Sequence, residues 1–191
     1  MVETTKRLML SIVFIILSNI VYSQVYISVS EDFRNRYFGS EPTGGKEKFD
    51  ILFTMGFIGQ YDVICNPKAG VIYESFTSID YQKYGIDVGT RIELVKCFYS
   101  DTFIGRVTKN MYLDLSIAGI QIIRINDEFV SAQLNANLVY KLNDRIGLIL
   151  SSSFESAQDL NAKYGGDNFR KSVYIGIIIQ GKKWNDIERR F

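Results

Sequence analysis

Between Phe129 and Glu155 the chain alternates apolar and polar residues along two arms joined at Asn143-Asp144. Val130, Ala132, Leu134, Ala136, Leu138 and Tyr140 share one parity, and Ser131, Gln133, Asn135, Asn137 and Lys141 the other. That is the period of a strand with one apolar and one polar face, and the pattern predicts a hairpin. Each arm runs about eleven to thirteen residues, against about five or six for a usual globular strand. Such a length matches a tilted strand crossing a bilayer.

The same alternation recurs along the chain. Val25, Ile27 and Val29 oppose Tyr26, Ser28 and Ser30; Phe49, Ile51, Phe53, Met55 and Phe57 share the greasy face of a second strand. A third, from Ala69 to Ser78, has an undecided register, because Val71 and Tyr73 compete with Ile72 and Phe76 for the apolar face. Ile86, Val88, Thr90, Ile92 and Leu94 then oppose Asp87, Arg91 and Glu93, and Leu113, Leu115 and Ile117 oppose Asp114 and Ser116. Val173, Ile175, Ile177 and Ile179 alternate in the last strand. The strands predicted are about 24–30, 48–60, 69–79, 85–96, 111–125, 129–142, 145–155 and 171–184.

Between them, Glu31–Lys48 and Ser156–Arg170 have the Gly-rich polar composition of long loops, and Asn66-Pro67, Asn126-Asp127 and Asn143-Asp144 read as turns. Phe98–Asn110 reads either as a connection or as a short strand around Thr102–Val107. Helix-period amphipathicity is absent after residue 23.

A soluble sandwich also alternates, so the content of the two faces decides. Here the polar parity is mostly Ser, Asn, Gln, Gly and Asp, and the apolar parity is Phe, Ile, Leu and Val. The first suits a small lumen and the second suits lipid. Tyr61, Tyr81, Tyr84, Tyr112, Tyr140 and Trp184 fall near strand ends, as interfacial girdles do. The fold class expected is all-β, an antiparallel up-and-down transmembrane β-barrel of about eight strands. With both chain ends on the periplasmic side, the two long loops fall outside and Asn143-Asp144 inside.

The first residues sharpen the address. Lys6-Arg7, the apolar run Leu8–Leu17 and the small-residue exit Val21-Tyr22-Ser23 have the order of a secretory signal. Residues 1–23 are read as that signal and residues 24–191 as a single outer-membrane barrel domain. Removing Glu3, Lys6 and Arg7 takes the formal charge from +1 to zero. A neutral chain is a poor nucleic-acid partner.

Asp87, Arg91, Glu93 and Asp114, with Gln133 and Asn135, share the inward parity of neighbouring strands. They form either a polar channel or a mutually satisfied network, and an eight-strand lumen, just wide enough for side chains, favours the network. Arg34, Arg36, Lys46, Lys163 and Arg170 sit on or beside the outer loops. They are candidate contacts for lipopolysaccharide phosphates, or solvated loop ends. Asp159 and Gly165-Gly166-Asp167-Asn168 lack calcium-loop spacing and read as a turn. Cys65 and Cys97 fall at the inner ends of adjacent strands. A disulfide between them requires Cα atoms within about 7 Å; two unpaired thiols are the other reading.

With Tyr22-Ser23-Gln24 closing the signal and a hairpin Tyr140-Lys-Leu-Asn-Asp-Arg-Ile-Gly-Leu148, the chain resembles small outer-membrane β-barrel proteins of Gram-negative bacteria, especially the Bacteroidetes type. The resemblance implies residence among outer-membrane lipid and lipopolysaccharide, and insertion by the barrel-assembly machinery, which reads a final aromatic residue such as Phe191. It departs from the family at Asn185–Arg190, a poor lipid-facing strand.

Outer-membrane hydrolases and acyl transferases of comparable size place a His in their machinery, and this chain has none. Ser151-Ser152-Ser153 lacks a base and reads as strand packing. No cofactor or metal is expected. The reading is a non-enzymatic barrel, structural or adhesive through its outer loops. The competing reading is a soluble barrel enclosing a small apolar ligand, with the Phe49–Phe57 face turned inward.

Overall fold

The computed structural model describes residues 23–32, 50–59, 64–76, 81–98, 102–124, 127–156 and 169–181. Eight strands are present: β1 Ser23–Asp32, β2 Asp50–Gly59, β3 Cys65–Phe76, β4 Tyr81–Glu93, β5 Met111–Arg124, β6 Asp127–Lys141, β7 Ile146–Ser156 and β8 Phe169–Gln180. Each pairs antiparallel with its sequence neighbour, and β1 pairs with β8 to close the barrel. Closure leaves no sheet edge, so the strand backbones hydrogen-bond among themselves without water.

The barrel is inside out relative to a soluble protein. Val25, Ile27, Val29, Val71, Ile86, Val88, Ile117, Leu134, Leu148, Ile175 and Ile177 are all exposed on the outer wall. The inner wall carries Ser28, Lys68, Glu74, Lys83, Asp87, Arg91, Asp114, Gln133, Glu155 and Gln180, all buried. Two apolar clusters share the interior with them. One joins Leu52, Ile72, Ala118, Ile120, Ile122 and Tyr174; the other joins Tyr26, Ile58, Val139, Ile149 and Ile178.

One rim, here the lower, is where β1 begins and β8 ends. There β6 turns into β7 through residues 142–145: Asn143 Oδ1 accepts from the amides of Arg145 and Ile146, each at 2.9 Å, and the Ile146 carbonyl accepts from Leu142 and Asn143. This is the side-chain-made turn that Asn favours. At the upper rim β1, β3, β5 and β7 end and β2, β4, β6 and β8 begin. There Arg124 and Asp127 are register partners, so β5 passes to β6 through residues 125–126.

Three expectations are corrected. Asn66-Pro67 lies within β3 and pairs with Arg91 and Thr90 on β4. Proline is tolerated because β2 reaches only as far as Lys68, so at Pro67 that side of β3 has no partner strand. The connection after β4 is helical, with α1 at Leu94–Cys97 and α2 at Phe103–Thr108. Thr102 starts α2 by accepting from the Gly105 amide at 3.0 Å. Four- and six-residue helices are too short to show a period. Finally, β8 ends at Gln180, and Trp184 lies outside the described residues.

The undecided register of β3 is settled by charge. Val71 and Tyr73 face out, whereas Ile72 faces in beside Glu74, which meets its register partner Lys83. A carboxylate turned to lipid has no such partner.

Candidate functional site

The lumen is the best-defined polar site among the described residues. On β4 and β5, Arg91 and Asp114 are register partners, and the guanidinium grips the carboxylate in a fork: Nε to Oδ1 2.6 Å, Nη2 to Oδ2 2.8 Å. Lys68 of β3 bridges Asp87 at 3.1 Å and Asp114 at 3.7 Å. Asn135 donates to Asp87 at 3.1 Å, and Gln133 donates to Asn135. The formal charges of Lys68, Arg91, Asp87 and Asp114 cancel. Balance matters here, since each buried ion carries a desolvation cost of several kcal/mol that only its partners offset.

A second network ties opposite walls together. Lys83 of β4 pairs with Glu74 of β3 and reaches across to Glu155 of β7 at 3.0 Å. Tyr174 of β8 donates its hydroxyl across to Glu74 at 2.6 Å. All four side chains are buried.

Aromatic rings complete the filling. Tyr26 lies against Gly56 and Gly70, which face each other on β2 and β3. A Cβ at Gly56 would meet the Ala69 carbonyl oxygen first and stand 2.9 Å from the ring, and one at Gly70 would stand 2.7 Å from the Met55 carbonyl oxygen and 2.8 Å from the hydroxyl. The missing side chains therefore let the two strands approach closely and leave a seat for the tyrosine. Lys68 sits over the same ring at 5.2 Å, and Arg91 over Tyr112 at 5.5 Å, within cation–π range. The cavity left between the networks is about 20 Å³, bordered by Lys68, Asp87, Gln133 and Tyr174. That is room for about one water. A solute channel does not fit this lumen.

Of the residues singled out from the sequence, Asp87, Arg91, Asp114, Gln133 and Asn135 come together in the first network. Glu93 does not join it. It stands at the lower rim, accepting from Asn66 at 3.2 Å and pairing with Lys96 of α1 at 3.3 Å. Lys68, Glu74, Lys83, Glu155 and Tyr174 were missed. Lys68 shares the inward parity of Ile72 and Glu74, and that register was the missing signal.

Cys65 and Cys97 are free and exposed. The chain leaves the sheet after Glu93, so Cys97 lies on α1, its thiol 3.5 Å from the Glu93 carbonyl, while Cys65 pairs in register with Ile92. Arg34, Arg36, Lys46 and Lys163 lie outside the described residues, as do Asp159, the Gly165–Asn168 turn and Phe191; Arg170 belongs to β8.

Among the expected girdle tyrosines, Tyr84 and Tyr140 face out, whereas Tyr112 turns inward onto Arg91 and the lower apolar cluster. Tyr61 lies outside the described residues. Near the upper rim the outer wall instead stacks Tyr73 on Tyr84, 5.8 Å between centroids, and Phe154 on Phe169, 4.8 Å. Across β4 to β7 that wall has a notch of about 540 Å³, where Ala136 and Ser152 are flanked by Leu115, Ile117, Leu134 and Phe154.

No family model matches the chain, and no curated protein does. Solved structures do resemble it. The outer membrane protein Ail of Yersinia pestis in a phospholipid nanodisc superposes with a TM-score of 0.50 at 9% identity, over 83% of this chain and 99% of that one. Neisserial surface protein A gives 0.43 at 11% identity, over 82% and 94%. A de novo designed transmembrane β-barrel gives 0.39 at 12% identity, over 83% and 93%. The chain is thus a closed eight-stranded antiparallel barrel similar in fold to outer-membrane barrels. None of the three extends the Bacteroidetes-type resemblance.

Proposed function

We propose that the protein is a non-enzymatic outer-membrane barrel whose lower rim faces the periplasm and whose work, structural or adhesive, is done by the upper-rim loops. One observation carries this reading: a predominantly apolar outer wall around a lumen packed with paired charges. That arrangement is favourable in lipid and unfavourable in water. Delivery by a signal over residues 1–23, insertion by the barrel-assembly machinery and contact with lipopolysaccharide through Arg34, Arg36, Lys46, Lys163 and Arg170 belong to the same proposal.

The Ser151–Ser153 run supports a scaffold role. Ser151 and Ser153 face the lumen and Ser152 faces out, so the run is split across the wall. The competing apolar-ligand barrel meets a contrary geometry. Ile51, Met55 and Phe57 point outward, and the cavity between the two networks of the described residues is water-sized.

Fractionation of cells expressing the full chain tests the reading. The protein is expected to sediment with outer membranes and to need detergent for extraction. Recovery as a detergent-free soluble periplasmic protein would refute it.

A further inference from the structure

The lower-rim connection 94–110 differs from the tight turn at 142–145 and presents an apolar surface outside any strand. On α2, Phe103 is 77% exposed, Ile104 54% and Val107 50%. At about 100° per residue these three cover an arc of about 100°. Gly105 and Thr108 form the adjoining buried side, and Arg106, exposed, flanks the apolar arc about 60° from Phe103. The helix is held in place. Its first turn is capped by Thr102, Thr108 returns a hydrogen bond to the Ile104 carbonyl at 2.8 Å, and the Asn110 carbonyl accepts from Lys141 of β6 at 2.8 Å.

Both helices pack beside β5, where Leu113 and Leu115 begin the lipid-facing stripe. The described residues of 94–110 carry Lys96, Arg106 and Lys109 and no carboxylate; Asp101 lies outside them. An exposed apolar arc flanked by cations suits a helix lying in a membrane interface, and cations there are attracted to anionic headgroups.

We propose that α2 is an interfacial anchor. Phe103, Ile104 and Val107 insert at the boundary of headgroups and acyl chains in the leaflet around the lower rim, and Arg106 and Lys109 bind phosphates of anionic phospholipid. The proposal rests on the membrane reading above.

Its test uses the whole barrel with Trp184→Phe, which removes the single native tryptophan. Phe103→Trp reports on the helix, and Ile117→Trp on the outer wall. Each is refolded into vesicles of phosphatidylcholine and phosphatidylglycerol in which one lipid or the other is brominated, near the headgroup end of its chains to read position 103 and near the chain ends to read position 117. Both tryptophans are expected to be quenched, and the one at 103 more by brominated phosphatidylglycerol. Arg106→Gln or Lys109→Gln is expected to lower that enrichment about fivefold each.

If the tryptophan at 103 is open to aqueous iodide and not to bromolipid while the one at 117 is quenched, the anchor is refuted and the barrel reading stands. Shielding at 103 from both quenchers would mean that protein covers the helix, which also refutes it. An unquenched tryptophan at 117 removes the membrane reading and the anchor with it. Equal quenching by either lipid refutes the phosphate contact.

Discussion

Arg91 and Asp114 face each other across β4 and β5 and are joined inside the barrel by two hydrogen bonds of 2.6 and 2.8 Å. Asp114 also meets Lys68 at 3.7 Å. Asp114→Ala therefore leaves two cations with less than their balancing charge in a space that excludes water. The expected loss is about 3–5 kcal/mol of folding stability, read from urea unfolding in lipid vesicles. Replacing the pair together, Arg91→Met with Asp114→Leu, is expected to cost less than Asp114→Ala alone. Equal losses would mean that the pair is not the unit of stabilisation.

Gly56 and Gly70 make a seat for Tyr26 that a side chain would fill. Gly70→Ala and Gly56→Ala are each expected to destabilise by about 1–3 kcal/mol through overpacking. In a Tyr26→Ala background the same substitutions are expected to cost only somewhat less, because the ring is gone while the close backbone contacts with the Ala69 and Met55 carbonyls remain. A double-mutant cycle checks this, and additive effects would contradict it.

The outer wall gives a depth-dependent expectation. Ile117 lies mid-strand on β5 and faces out, whereas Val130 lies near the upper rim and is 88% exposed. Ile117→Arg is expected to cost about 2–4 kcal/mol in a bilayer and Val130→Arg about 0–1. The same unfolding titration compares them.

How the sequence reached this wall, and where it fell short, is visible in single residues. Inside–outside parity was legible wherever alternation was clean, as for Asp87, Arg91 and Asp114. The partners across the lumen were not. Lys68 fell just before the predicted third strand because Asn66-Pro67 suggested a turn, and Lys83 just before the predicted fourth because nothing local marks the start of β4. Glu74 fell in a strand whose parity was undecided. Parity is a property of one strand, whereas Lys83 meets Glu155 and Tyr174 meets Glu74 only because the sheet closes. The short helices escaped for a related reason, since α2 has six residues and too few turns to print a period.

The free, exposed state of Cys65 and Cys97 gives a chemical expectation. Both thiols are expected to react with a maleimide in the folded protein without prior reduction, adding two labels by intact mass. A folded protein that takes up label only after reduction would contradict the described geometry.

Eight strands closed into a lipid-facing barrel and held by a filled lumen resist unfolding by detergent until heated. The most direct measurement is detergent-gel migration of the folded chain before and after boiling. Unheated protein is expected to migrate at a position distinct from the boiled form, and only after refolding in lipid or detergent. Identical migration before and after boiling, or a folded state reached in plain buffer, would contradict it.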